Sequence, residues 1–325
     1  VSETNPSDAG GDEASRLAPA KINLWLAVHG PRDDGYHELS SLLLALDWGD
    51  ELRARGSTRP GIRLSLTGPA LSDDIPRDEH NLVWRAARLA LDRSRDLGGC
   101  APPGLELALH KRVPSQAGLG GGSSDAVAAL ELVQELAGVD LGLEWKRAQC
   151  AALGADCSFF LDVGASGLAL CEGIGERVTP WSGATPPWFV TLLMPGAVSS
   201  TGAVFGALDP RPGPRRACPF DTDLVRAPLE LLRAGLHTDL EAAALAVVPE
   251  LRIWRDWLDG HDAGHYRLSG SGSTFFGLHT SEAQARAELE DLRRGALASG
   301  LALRGAQLAR PQAGQPSRPH QGDPS

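Results

Sequence analysis

Five cysteines are all that 325 residues carry, and Cys100, Cys150, Cys157, Cys171 and Cys218 form neither a CxxC pair nor a repeated metal-ligand spacing. The pattern offers no disulfide framework, so a reducing compartment is the simpler setting. Long apolar runs are absent as well, and no stretch reaches the length that a membrane span requires. The opening VSETNPSDAGGDEASR is polar and acidic where a signal peptide would be basic and then apolar, which points to the cytoplasm. Positive charge is in deficit, with a net charge of -10 and a pI near 5.4. Such a surface argues against a broad footprint for DNA or RNA. An anionic substrate would need a local pocket of lysine, arginine, amides or metal.

What is present is ordinary for a folded chain: 42 % apolar residues, 22 % charged, and 38 glycines with 23 prolines for tight connections. The length favours two domains over one. Residues 1–16 and 309–325 have few groups able to repay chain ordering and read as disordered tails. In KINLWLAV, Ile22, Leu24, Leu26 and Val28 alternate with less buried positions, the period-two signal of a strand. Asn81 introduces the helical pattern LVWRAARLAL, and Leu105, Leu107 and Leu109 alternate like another strand. A helix over 143–153 stops at Gly154 and leaves Asp156 just past its end.

Pro180, Gly183, Pro186 and Pro187 mark a connection, with a domain boundary near residue 182. The strand WFVTLLM, a helix beginning in SSTGAVFGAL and two strand segments around the glycine turn of YRLSGSGSTFFGLH follow. Ser281 and Gln284 then stand in capping-box spacing at the head of SEAQARAELEDLRR. Helix and strand are mixed in both halves without regular βα repeats, so the fold class is α+β.

Between the strand and the helix at 105–133 lies PSQAGLGGGSSDA. It lacks the lysine of G-x-x-x-x-G-K-[ST], and it is not the G-x-G-x-x-G fingerprint followed by an acidic residue about twenty positions on. Gly118, Gly120, Gly121 and Gly122 nevertheless allow close backbone approach, and Ser123 and Ser124 offer hydroxyls where the helix carrying Ala126, Val127, Leu130 and Val133 begins. Free amides at a helix start attract anions, so the loop is either a phosphate cradle or a glycine-rich cap joining strand to helix. The weaker cluster Gly270, Ser271, Gly272 is either a strand turn or a substrate contact. An aspartate beside a lysine can orient a hydroxyl proton while the lysine offsets phosphoryl charge, which makes Lys21 and Asp156 candidates. Lys21 taken alone also fits a surface role, Asp156 a helix end, and Tyr36 with His37 a packed turn.

Taken together, APAKINLWLAVHGPRDDGYHEL (18–39), HNLVWRAA (80–87), KRVPSQAGLGGGSSDA (111–126), LGADCSFFL (153–161), CEGIGERVTP, MPGAVSSTGAVF and LSGSGSTFFGL resemble, in order, the 4-diphosphocytidyl-2-C-methyl-D-erythritol kinase family. That family sits among the kinases of galactose, homoserine, mevalonate and phosphomevalonate. The resemblance covers residues 17–308. It implies an amino-terminal domain (17–181) like ribosomal protein S5 domain 2, a ferredoxin-like carboxy-terminal domain (182–308), and substrates in the cleft between them.

The resemblance further implies transfer of the ATP γ-phosphoryl group to the acceptor's 2-hydroxyl, with Mg²⁺. Asp156 would be the catalytic base and Lys21 its electrostatic partner. Pro114, Ala117, Gly118, Leu119, Gly120, Gly121, Gly122, Ser123 and Ser124 would wrap the phosphates, with Ser124 the serine nearest the metal. Asn81 and Lys111 would lie on the nucleotide side. Asn23, Tyr36, His37, Thr201 and Phe205 would serve the cytosine end, and Gly270, Ser271 and Gly272 the phosphate region.

Against the family pattern, Ser158 replaces a common proline, Ile174 a common arginine, and Thr222 and Val225 alter an Asn-Asp-Leu-Glu region; Ser115 and Gln116 fall at variable positions. The alternatives are a mevalonate, phosphomevalonate or homoserine kinase, or an inactive nucleotide-binding regulator. A nucleic-acid or membrane partner is not expected, the organism reads as bacterial, and either a monomer or a homodimer is compatible.

Overall fold

The computed structural model describes residues 13–208 and 225–313. Two long antiparallel strands, β1 (Glu13–Pro31) and β2 (His37–Ser57), form its spine. β3 (Gly61–Thr67) crosses through α1 (Leu82–Asp96) to run parallel to β4 (Gly104–His110), which pairs with the second half of β2. The first half of β2 takes β5 (Leu168–Gly173), and β6 (Arg177–Pro180) is added outside it.

α1 and α2 (Gly121–Ala137) lie on this sheet, burying Val83, Ala86, Ala90, Leu130 and Val133 against Leu52, Leu105 and Leu109. Asn81 caps α1 by accepting from the Val83 amide at 2.9 Å, a contact of the kind worth about 1 kcal/mol.

The KINLWLAV strand departs from simple alternation. Lys21, Asn23 and Trp25 are as buried as their apolar neighbours, and the pairing with β2 slips at Pro19/Lys21 and Asn23/Trp25. Such bulges re-aim side chains, and here they occur where Lys21 and Asn23 stand under the glycine loops. After α3 (Leu143–Leu153), Gly154 is followed at once by α4 (Ala155–Asp162). Asp156 therefore occupies the first turn of a new helix rather than a bare helix end.

In the second half, β7 (Phe189–Pro195), β9 (Arg267–Leu268), β10 (Phe275–His279) and β11 (Leu303–Ala309) form an antiparallel sheet in the order β11-β7-β10-β9. Numbered within this half the order is 4-1-3-2, the ferredoxin-like arrangement. α5 (Thr201–Gly206), α6 (Leu229–Gly235), α7 (Glu241–Val247), α8 (Pro249–Gly260) and α9 (Glu282–Ala298) complete it, and Ser281 caps α9 by accepting from the Gln284 amide. The α+β class and the two-domain architecture stand.

Strand pairing crosses between the two halves. β8 (His237–Thr238) belongs by sequence to the second domain but pairs with Trp25 and Leu26 of β1, closing that edge of the first sheet. One apolar cluster joins Ile22 and Leu24 to Val190, Leu192 and Phe276, so the halves share a core. Two stretches that composition assigns to tails, 13–16 and 309–312, make backbone pairings. Residues 13–16 pair with Arg55 through Leu52, Ala309 ends β11, and the Asp47 and Gln312 amides bond to Arg310 and Ala45 carbonyls at 2.9 Å. Backbone pairing orders these segments with little apolar side-chain burial. Thr222 and Cys218 lie outside the described residues.

Candidate active site

The loop at 114–120 and the turn at 269–273 touch, with Gly118 and Ser269 in contact across 151 residues of sequence. Gly118 has φ +75°, and a Cβ there would fall 2.3 Å from the Ser269 carbonyl oxygen, so only glycine fits this crossing. Ser269 Oγ donates to the Gly118 carbonyl at 2.9 Å, and the Thr274 amide to the Ala117 carbonyl at 3.1 Å. Gly270, at φ +58°, would place a Cβ 2.9 Å from Asn23 Oδ1.

Under this crossing Lys21 Nζ donates to Asn23 Oδ1 at 2.8 Å and to the Gly118 carbonyl at 3.0 Å, and stands 3.5 Å from Asp156 Oδ2. Asn23 is held in turn, its Nδ2 donating to Ser41 Oγ at 2.9 Å while Ser41 Oγ donates to the Trp25 carbonyl at 2.8 Å. The lysine is thus fixed by three contacts while Asp156, its side chain 35 % exposed, opens onto solvent.

One cleft of about 990 Å³ joins most of the candidate residues. Lys21, Asn23 and Asp156 line it, as do Pro114, Ala117 to Ser123, Gly270 and Ser271. Asn81, Lys111, Asp74 and Ile75 line it too, with Tyr36 and His37 from the first half and Thr201 and Phe205 from the second. Ser124 and Gly272 are not in the wall. Ser124 is 1 % exposed, and its Oγ has no hydrogen-bond partner among the described residues. The His37 and Phe205 rings stack at 5.3 Å with a 39° tilt, whereas Tyr36 is 59 % exposed. Thr201 Oγ1 lies 3.0 Å from Ser271 Oγ, joining α5 to the second glycine turn.

Lys111 has an environment that its sequence neighbours do not announce. Its ammonium is buried between the carboxylates of Asp50 and Asp125, the latter at 2.7 Å. Asp50 Oδ1 also accepts from the Arg112 and Val113 amides, at 2.5 and 2.8 Å. Burial pushes the Asp125 carboxyl up to about 8, although Lys111 pulls it down. For Lys111, desolvation lowers the ammonium, but Asp125 and Asp50 more than offset it and the net direction is upward. Two buried carboxylates share one cation, so one of them is better off protonated.

The consequence for stability has a definite sign. Asp125 keeps its proton in the folded chain at a pH where an unfolded aspartate, at 3.8, has lost it. The stability it contributes is full below about pH 4 and is lost as pH rises through about 8. Between about pH 6.5 and 8, urea stability of the wild type should fall relative to Asp125→Asn, by at most about 1.4 kcal/mol per pH unit. Parallel stability curves for the two proteins would refute this.

The chain contains three lysines, Lys21, Lys111 and Lys146, at 4 %, 4 % and 9 % exposure. Lys146 pairs with Glu131 at 2.7 Å and does not line the cleft. Asp50, Ser41 and Ser269 escaped the sequence reading because their partners are distant in the chain. Asp125 had a visible signal: it is a charged residue on the threshold of an otherwise apolar helix face.

Residues 81–168 match the family model "GHMP kinases N terminal domain" and residues 221–296 match "GHMP kinases C terminal". A 4-diphosphocytidyl-2-C-methyl-D-erythritol kinase of Deinococcus radiodurans is 39 % identical over 280 residues, covering 83 % of this chain and 86 % of the relative. One from Caulobacter vibrioides is 38 % identical over 283 residues, covering 86 % and 94 %. A crystal structure of 4-(cytidine 5'-diphospho)-2C-methyl-D-erythritol kinase superposes with a TM-score of 0.69 at 34 % identity, over 91 % of this chain and 98 % of the other. Homoserine kinase from Cytophaga hutchinsonii superposes at 0.63 with 18 % identity over 97 % and 98 %, a likeness of fold alone.

Proposed function

The chain belongs to the GHMP kinases, among relatives that are 4-diphosphocytidyl-2-C-methyl-D-erythritol kinases, and from that premise we propose that it phosphorylates the 2-hydroxyl of this alcohol with ATP. The products would be the 2-phosphate and ADP, in a non-mevalonate route to isoprenoid precursors in the bacterial cytoplasm. The observation that carries the reading is that one cleft is lined by the glycine loop, by Lys21 and Asp156 3.5 Å apart, and by the packed rings of His37 and Phe205.

Phosphoryl transfer asks little covalent help from a protein, and positioning with charge neutralisation does most of the work. The loop amides and the start of α2 favour phosphate by roughly 0.3–1 kcal/mol per charge interaction. Asp156 accepts the proton of the attacking hydroxyl. Lys21, held in place by Asn23 and the Gly118 carbonyl, presents its charge beside the phosphoryl group in flight. The aromatic stack offers a face to cytosine, and the polar edge of His37 can direct the base.

The residues fit Mg²⁺. Ser124 Oγ is a buried oxygen without a protein partner at the head of α2, and Mg²⁺ takes oxygen donors, chiefly the nucleotide's own phosphates and water. Bound there, the metal would neutralise phosphate charge.

Purified protein supplied with Mg-ATP and, separately, the diphosphocytidyl alcohol, mevalonate, phosphomevalonate or homoserine should form ADP and phosphorylated product with the first only. Turnover of another alcohol with none of this one would overturn the substrate assignment. ATP binding without turnover of any of them would favour a regulatory protein, a role for which the Lys21–Asp156 pair has no evident use.

A further inference from the structure

Arg304 sits where the pairing of β11 with β7 slips between Leu303 and Gly305. A bulge turns the side chain of its extra residue away from the regular pleat, and this one sends the guanidinium into the seam between three loops. Its Nη1 donates to the Ser115 carbonyl at 2.9 Å, in the first glycine loop. Its Nη2 donates to Ser273 Oγ at 2.8 Å, in the second glycine turn, and to the Ala197 carbonyl at 3.1 Å. Its Nε donates to the Pro195 carbonyl at 2.9 Å. Pro195 and Ala197 begin the connection from β7 to α5, the helix that carries Thr201 and Phe205. Arg304 does not line the cleft and forms no ion pair among the described residues, so its donors are spent on these loops.

We infer that Arg304 is a positioning residue that sets the spacing between the nucleotide loop and the acceptor-side helix. The planar fork of arginine suits the task, because four bonds in fixed directions hold three segments at once, whereas an ammonium is a single point. Ser199 reinforces the seam, its amide reaching the Gln116 carbonyl at 3.5 Å and its Oγ the Ser271 carbonyl at 2.6 Å. Loosening the clamp changes the distance between donor and acceptor without touching either. A misplacement of about 1 Å can cost on the order of 10²-fold in rate.

The inference rests on the kinase reading above, and its test separates the two. Calorimetry with ADP reports the nucleotide loop whatever the acceptor is, and steady-state assays use whichever alcohol the wild type phosphorylates. In Arg304→Met, kcat should fall by about 10- to 100-fold and ADP affinity by up to about tenfold, with Arg304→Lys in between. Free guanidinium at millimolar concentration should restore part of the kcat of Arg304→Ala, and sodium chloride at equal ionic strength should not.

A purely structural arginine would lower the folded fraction while leaving KM and the kcat of the folded enzyme unchanged, and that result would overturn the inference. So would Arg304→Met within twofold of wild type in both kcat and ADP affinity. Should Arg304→Met not fold, Arg304→Lys within twofold of wild type decides against the clamp. A wild type that binds no ADP sinks both this inference and the kinase reading. A wild type that turns over a different alcohol sinks the substrate assignment alone.

Discussion

Asp156→Asn should lower kcat for phosphoryl transfer by roughly 10² to 10⁴-fold while leaving nucleotide affinity and stability near wild type. The substitution keeps the shape and the hydrogen-bonding edge of the side chain and removes its ability to take a proton. Stability should survive because Lys21, the partner at 3.5 Å, keeps Asn23 Oδ1 at 2.8 Å and the Gly118 carbonyl at 3.0 Å. The buried Lys21 ammonium loses its carboxylate, but that carboxylate is one-third exposed and two oxygen acceptors remain, which keeps the cost small. Nucleotide affinity should survive because the loop is shaped by glycine crossings and backbone bonds that do not involve Asp156. Single-turnover assays with saturating Mg-ATP, read beside ADP calorimetry, test both parts. A variant that keeps more than about a tenth of wild-type kcat would remove Asp156 from the role of base.

Lys111→Met should produce the largest loss of stability, about 3–5 kcal/mol, the usual cost of breaking a buried ion pair by removing one partner. Asp50 and Asp125 are both fully buried, and methionine would leave them facing each other with no cation between. The backbone amides of Arg112 and Val113 soften the loss for Asp50 alone. Asp125 keeps its proton up to about pH 8 and already stands beside Asp50 as a neutral group, so the double variant Lys111→Met with Asp125→Asn should lose about as much as the single one. Urea denaturation at neutral pH reads both differences. A single-variant loss under about 1 kcal/mol would mean that water reaches the carboxylates. Because the pair lies beneath the start of α2, the single variant should also loosen the phosphate loop, a secondary effect on ADP affinity.

Most elements that line the cleft were legible in the sequence, since their signals are local. Glycines before an apolar helical run mark the loop, and a short motif surrounds each of Lys21 and Asp156. Contacts made over long separations left no such trace. Asp50 meets Lys111 across 61 residues, and Arg304 meets Ser115 across 189. Neither Asp50 nor Arg304 stands in a pattern that distinguishes it from a surface charge. Gly154 reads as a helix stop and is one, but nothing nearby discloses that a new helix begins at Ala155 and carries Asp156 in its first turn. Residues 13–16 and 309–312 looked like tails because composition measures what side chains can bury. Their order comes from backbone amides and carbonyls, which every residue but proline supplies alike.

The scarcity and burial of lysine give this molecule an unusual chemical face. Of 31 cationic side chains, 28 are arginines, and the three amines are inside. A reagent that acylates amines thus meets no exposed lysine, and of the three only Lys21 and Lys111 border the cleft. Lys111 is locked between two carboxylates, which leaves Lys21 as the ammonium that an occupant of the cleft would shield directly. Slow acylation at that position, followed by peptide mass, becomes a natural gauge of whether the cleft is filled.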